Sequence, residues 1–107
     1  MSKLQMIDDE SFASEVLEAE VPVIVDYTAT WCPPCKMQVP ILEEFAEAHL
    51  GEVKIVKLDI DDAPHSASRY GVRSIPTLML FSAGQRVDTK VGLTVFAALE
   101  EMLKKIV

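Results

Sequence analysis

The order of apolar and amphipathic segments predicts an α/β protein, with a mostly parallel sheet covered by helices on both faces and closed by an antiparallel hairpin. Three observations carry this. Strand-like and helix-like stretches alternate in the order βαβαβαββα. Val21 to Ala29 is β-branched and apolar on both faces, as a central strand covered twice should be. Ser82-Ala83-Gly84-Gln85 separates two extended stretches, as a hairpin turn does. With 107 residues, half of them hydrophobic, the chain suits a single domain, residues 1–107, with a real core.

Leu4 to Ile7 reads as a short first strand. Asp8, Asp9 and Ser11 are candidate N-caps for a helix to about Ala19 that sets Phe12 and Val16 on one face. The Val21–Ala29 strand leads into a helix that starts at Cys32 and Cys35 and ends near Leu50, with Gly51 as its C′ residue. Val39, Leu42, Phe45 and Ala46 form its buried stripe, and Pro40 inside it should bend it. Val53 to Ile60 is the next strand, and Asp61, Asp62 and Pro64 open a short helix through about Tyr70. Thr77–Phe81 and Arg86–Val91 form the hairpin. Thr94 is a candidate cap for a last helix that turns Phe96, Leu99, Leu103 and Ile106 inward, with Lys104 and Lys105 complementing its C-terminal dipole.

The net charge of -7 argues against nucleic acid and anionic membrane as partners. No apolar run is long enough to span a bilayer, and Met1 to Glu10 lacks the pattern of a secretory signal, which together point to a cytoplasmic protein. The two cysteines, in Trp31-Cys32-Pro33-Pro34-Cys35-Lys36, do not make a disulfide scaffold. They fall where an apolar strand meets an amphipathic helix. The positive potential at a helix N-terminus favours a thiolate, and the thiolate is the species that attacks disulfides. Cys32 at the N-cap is the expected nucleophile, and Cys35, inward and shielded, the resolving thiol. A metal site would need more ligands, and neither His49 nor His65 has ligand spacing with the pair.

Asp26 interrupts an otherwise apolar strand. Burial should raise its pKa and let it move a proton to or from Cys35, with Lys57 on the neighbouring strand as its partner. The alternative is a structural aspartate bonded to backbone or to a lysine. Trp31, Ile75, Val91 and Gly92 are candidates for an apolar rim beside the sulfurs. Pro76 opens a strand, a position that proline tolerates, and the sequence by itself favours an ordinary trans bond there.

Taken together, these residues resemble the thioredoxin family over essentially the whole chain. The resemblance rests on the element order, Asp26, the motif from Trp31 to Lys36, Pro40, Lys57, the Tyr70–Thr77 run, Gly84 and Val91-Gly92. It implies a thioredoxin fold with a central five-stranded mixed sheet flanked by four helices. It implies protein disulfide reduction, with Cys32 attacking and Cys35 resolving, and Pro76 cis and facing the disulfide. Trp31, Pro33, Pro34, Ile75, Pro76, Val91 and Gly92 would then contact substrate. No bound cofactor is implied. Electrons would come from NADPH through a flavin-dependent thioredoxin reductase, the partners would be disulfide-containing proteins and that reductase, and the state would be monomeric.

Three positions depart from the family pattern. Pro33 stands where glycine is usual, so two successive residues at the helix start lack an N–H. Loss of that donor should raise the Cys32 pKa and make the pair more reducing, whereas the stiffer loop could instead favour either redox state. Thr28 replaces the usual tryptophan, and Ser74 a common glycine. All three suggest a specialised member. The competing readings are an oxidase or isomerase of the same fold, a non-catalytic binding module, and a metal or cluster held by Cys32 and Cys35 across a dimer.

Overall fold

A computed structural model describes residues 4–106. Five strands form one sheet: β1 (Gln5–Ile7), β2 (Val23–Thr28), β3 (Lys54–Asp59), β4 (Thr77–Ser82) and β5 (Gln85–Val91). Their order across the sheet is β1-β3-β2-β4-β5. The helices are α1 (Pro33–Ala48), α2 (Pro64–Arg69) and α3 (Phe96–Lys104), preceded by one π-helical turn over Ala13–Leu17.

That turn departs from the expected helix to Ala19. Glu18 N–H donates to the Ala13 carbonyl at 2.9 Å, a five-residue span that widens the turn. Phe12, just before the turn, and Val16 within it are both buried against the sheet. Asp8 and Ser11 pair with each other, each accepting the other's backbone N–H at 3.0 Å. Asp9 caps a different helix, described below.

The sheet is mixed rather than mostly parallel. β1–β3 and β3–β2 are parallel, while β2–β4 and β4–β5 are antiparallel. The cause lies in the connection after β3. The six-residue α2 rises only ~9 Å, about half the length of a six-residue strand. The chain therefore re-enters the sheet at the edge it left, with Thr77 opposite Tyr27. The C-termini of β2 and β3 and the start of β4 consequently share one edge. β4 and β5 are joined by a two-residue turn, Ala83-Gly84, with φ of 51° and 79°. Two positive φ values match the twist of a hairpin, and glycine takes the second without strain.

Alternation along the strands builds two cores. Val23, Val25 and Tyr27 of β2 join Val56, Leu58, Met79 and Phe81 beneath Phe12, Val16, Ala63 and Ala67. Phe12, Tyr70 and Phe81 stack there, with Phe81 edge-on to both other rings. On the opposite face Ile24, Ile55, Leu78 and Leu80 pack under Leu42 and Phe45 of α1 and Leu99 and Met102 of α3. Phe96, Leu103 and Ile106 are only partly buried, and Met102 takes the inner place the sequence reading gave them. In α1 Leu42 and Phe45 are buried as expected, while Val39 and Ala46 are partly exposed.

Two capping expectations are corrected. Helix α1 ends at a His49 C-cap, so Gly51 (φ 80°) lies beyond the C′ position, in the turn into β3. Thr94 does not cap α3: Val95 is the N-cap, with no side-chain bond. Thr94 is engaged with α1 instead.

Candidate active site

The cysteine pair lies where β2 hands the chain to α1. Cys32 is the N-cap, with extended φ and ψ of -101° and 106°, and Pro33 and Pro34 follow as the first helical residues. Proline fits there because a first-turn N–H has no intrahelical partner, and its ring presets φ. The first amide able to reach the cap is Cys35 N–H, 3.3 Å from Cys32 Sγ. The two sulfurs are joined as a disulfide, with Cα atoms 5.3 Å apart. Cys32 is 4% exposed and Cys35 1%, so both are buried, Cys32 slightly less completely. Ala29, Ile60 and Ile75 pack around them.

The shared edge of the sheet brings the Ile75-Pro76 loop to the sulfurs. Ile75–Pro76 is a cis peptide, and the Ile75 carbonyl oxygen lies 3.9 Å from Cys32 Sγ. Pro76 is buried, Ile75 half-buried. Gly92 N–H donates to the Pro76 carbonyl at 2.7 Å, which draws the end of β5 to the same place. Val91 and Trp31 stand 68% and 64% exposed. Trp31 Nε1 donates to Asp61 at 2.8 Å, and Asp61 N–H to Asp59 at 2.8 Å, so the indole is held at the rim by its polar edge. Ile75 packs on the pair, Trp31 precedes it directly in the chain, and the Gly92–Pro76 bond sets Val91 and Gly92 beside the Ile75-Pro76 loop, so three separate segments contribute an apolar surface here. Leu93 and Val95, 42% and 56% exposed, extend it. The sequence reading passed over both.

Asp26 is fully buried on β2, on the face that α1 covers. Neither carboxylate oxygen has a hydrogen-bond partner among the described residues. Burial pushes its pKa from 3.8 to about 7, and the Lys57 ammonium only partly offsets that. Lys57 sits directly opposite in register. Among the described residues the Asp26 oxygens meet no donor, so Lys57 acts on Asp26 through its field. A crevice of about 160 Å³ runs between α1 and the sheet, lined by Thr28, Cys35, Val39, Lys57 and Asp59 among others. Cys35, although buried, thus borders this crevice together with the small Thr28. Among the described residues, no three His, Cys, Asp or Glu side chains form a metal-holding cluster. His49 packs on the Phe45 ring, and His65 is exposed on α2.

One residue of the site region escaped the sequence reading altogether. Gln38 is fully buried and spans from α1 to Thr94. Its signal was present: Cys35, Gln38, Leu42 and Phe45 follow the spacing of a buried helical stripe, and a glutamine in such a stripe must find partners.

Comparison with known proteins gives a single answer. The thioredoxin family model matches residues 3–105. The thioredoxin of Synechocystis sp. is 48% identical over 105 residues, covering 98% of each chain. Thioredoxin 1 of Nostoc sp. is 46% identical over 105 residues, again 98% of each. The thioredoxin of Rickettsia conorii is 48% identical over 97 residues, 91% of this chain and 92% of its own. With its vicinal cysteines bonded at a strand-to-helix junction and its likeness running nearly end to end, the chain belongs to the thioredoxin family, a thiol–disulfide oxidoreductase.

Proposed function

We propose that the protein acts as a protein disulfide reductase in which Cys32 attacks and Cys35 resolves. The observation that carries this is the asymmetry of the pair: Cys32 is the N-cap of α1, is the less buried of the two residues, and its sulfur accepts the Cys35 N–H. In the reduced protein the Cys32 thiolate attacks one sulfur of a substrate disulfide. A mixed disulfide forms, and the departing substrate thiolate takes a proton. Cys35 then gives up its proton and attacks Cys32 Sγ. The Cys32–Cys35 disulfide forms and the second substrate thiol leaves, so two electrons have passed to the substrate.

Asp26 is the proton acceptor for Cys35 on this reading. A carboxyl with a pKa of about 7 is half ionised at neutral pH, which suits it to take and return a proton. Lys57 tunes that acid. Trp31, Pro33, Pro34, Ile75, Pro76, Val91 and Gly92 form the surface on which the substrate chain lies. NADPH supplies the electrons through a flavin-dependent thioredoxin reductase. The protein works as a monomeric single domain in the cytoplasm, where a reducing environment keeps the cycle turning.

The test is mechanism-based trapping. Cys35→Ser protein, added reduced to cell extract, should accumulate Cys32-linked adducts that dithiothreitol releases. Cys32→Ser should yield none. Adducts on Cys35 in place of Cys32 would overturn the assignment. A pair recovered mainly oxidised from growing cells would favour the oxidase or isomerase reading. A double serine variant that keeps its full partner set would favour a binding module.

A further inference from the structure

We propose that Gln38 is a positioning residue for substrate docking, fixing the segment from Val91 to Val95 against the helix that carries the disulfide. This rests on the reductase reading above. Gln38 lies three residues after Cys35 and is fully buried. Its Nε2 donates to the Thr94 carbonyl at 2.8 Å, and its Oε1 accepts the Thr94 N–H at 2.7 Å. One side-chain amide therefore satisfies both backbone groups of one residue, in a pairing whose geometry allows little freedom. The Thr94 hydroxyl donates to the Gly92 carbonyl at 3.1 Å, and Gly92 N–H donates to the Pro76 carbonyl at 2.7 Å. The neighbouring Ile75 carbonyl lies 3.9 Å from Cys32 Sγ. These links close a ring: Cys32, along α1 to Gln38, across to Thr94, through Gly92 to Pro76, and back to Cys32.

The segment so held needs an outside anchor. Its ends are fixed, Val91 by pairing with Thr77 and Val95 as the N-cap of α3, but residues 92–94 between them lie in neither a strand ladder nor a helix. Along it the side chains alternate. Thr94 is buried on the Gln38 side, and Val91, Leu93 and Val95 are 68%, 42% and 56% exposed. The clamp therefore sets the height and facing of three apolar side chains at the rim. The rim is offered to a polypeptide, because a small disulfide meeting Cys32 would not reach so far along the segment. Gln38 touches neither the sulfurs nor the substrate. It acts through Thr94.

The experiment compares two substrates, a disulfide-bonded peptide long enough to cross the segment and the small hydroxyethyl disulfide. Wild-type protein that leaves the peptide disulfide intact overturns the reductase reading itself, before any variant is compared. Gln38→Met keeps the length of the side chain and removes the clamp. KM for the peptide should rise about tenfold, as expected for losing a well-formed pair of hydrogen bonds. The rate with hydroxyethyl disulfide and the redox potential should stay at wild-type values. In Gln38→Glu the clamp needs a protonated carboxyl, so peptide KM should approach wild type at acid pH and climb as that carboxyl ionises. An unchanged peptide KM, an equal loss with both substrates, or a shifted potential would overturn the proposal and leave Gln38 a purely stabilising residue. Should Gln38→Met fail to fold, Gln38→Glu decides: its peptide KM should climb with pH above that of wild type while its rate with hydroxyethyl disulfide follows wild type at each pH, and a peptide KM profile equal to wild type's overturns the proposal.

Discussion

Helices α1 and α2 start alike and are finished differently. Each follows a parallel strand at the same edge of the sheet, and each has proline in its first turn. At α1 the cap is the Cys32 sulfur, which accepts a single amide. At α2 the N-cap Ala63 offers nothing, and Asp9 reaches across from the chain after β1. It accepts the N–H groups of Ser66 at 2.7 Å and His65 at 3.2 Å. The α2 terminus is saturated by an acid that ionises readily, since the bonds from Ser66 hold the Asp9 carboxyl below its ordinary range. The acid near α1, Asp26, is sunk in the sheet with no donor, and its pKa is raised to about 7. One helix N-terminus is thereby a structural joint. The other keeps its positive end free of any fixed anion and available to a transient thiolate.

The sharpest way to break the contrast is to remove the buried acid. Asp26 has a folded pKa of about 7 against 3.8. An acid with a raised folded pKa gives stability that is whole below about pH 4 and drains away as pH climbs towards 7. At pH 8 the ionised carboxylate costs the fold several kcal/mol, at roughly 1.4 kcal/mol per pKa unit. Asp26→Asn should therefore be the more stable protein at pH 8, by up to several kcal/mol, and should lose this slope between pH 4 and 7. Urea unfolding across pH measures it. The same variant should reduce peptide disulfides more slowly at neutral pH. A wild-type pH–rate profile in the variant would remove the proton-transfer role.

Removing the other acid should do the reverse. Asp9→Ala leaves the His65 and Ser66 amides without their acceptor, and Tm should fall by roughly a few degrees. The loss is present in full above about pH 4 and fades as pH falls from there towards the lowered pKa of Asp9, below which the wild-type carboxyl is itself protonated. Redox potential should not move. A shift in potential would mean that the two termini are coupled.

The smallest effect sharpens the α1 side. Pro33→Gly restores one N–H to the first turn. The Cys32 pKa should drop by a fraction of a unit, and the pair should become less reducing by roughly 10–30 mV. Equilibration in glutathione buffers, followed by thiol counting, reads the change. A potential equal to the parent's would show that the missing amide does not matter to the sulfur.

The chemistry at α1 was legible in the sequence because it is local. Cys32, Pro33, Pro34 and Cys35 span one helical turn, and the strand before them and the amphipathic helix after them are written in neighbouring residues. The same holds for the Ala83-Gly84 turn and for Asp26, whose oddness is visible within its own strand. Family likeness carried the cis Ile75–Pro76 bond, which no local pattern would have chosen. What the sequence did not yield are the bonds that close long loops. Asp9 reads as a cap for the turn beside it, yet it serves amides more than fifty residues away. Thr94 reads as a cap for α3, yet its backbone is held by Gln38 at a separation of 56 residues. Capping residues announce that they will bond to a backbone N–H or C=O, but not which one. The antiparallel entry of β4 belongs here too, since it depends on how far a short α2 carries the chain. By itself, then, the sequence determined the elements, their turns and the sulfur pair, because those depend on contacts within a turn or two. Only the tertiary structure decided which remote groups meet, because a buried donor or acceptor takes whatever partner the packed chain brings within about 3 Å.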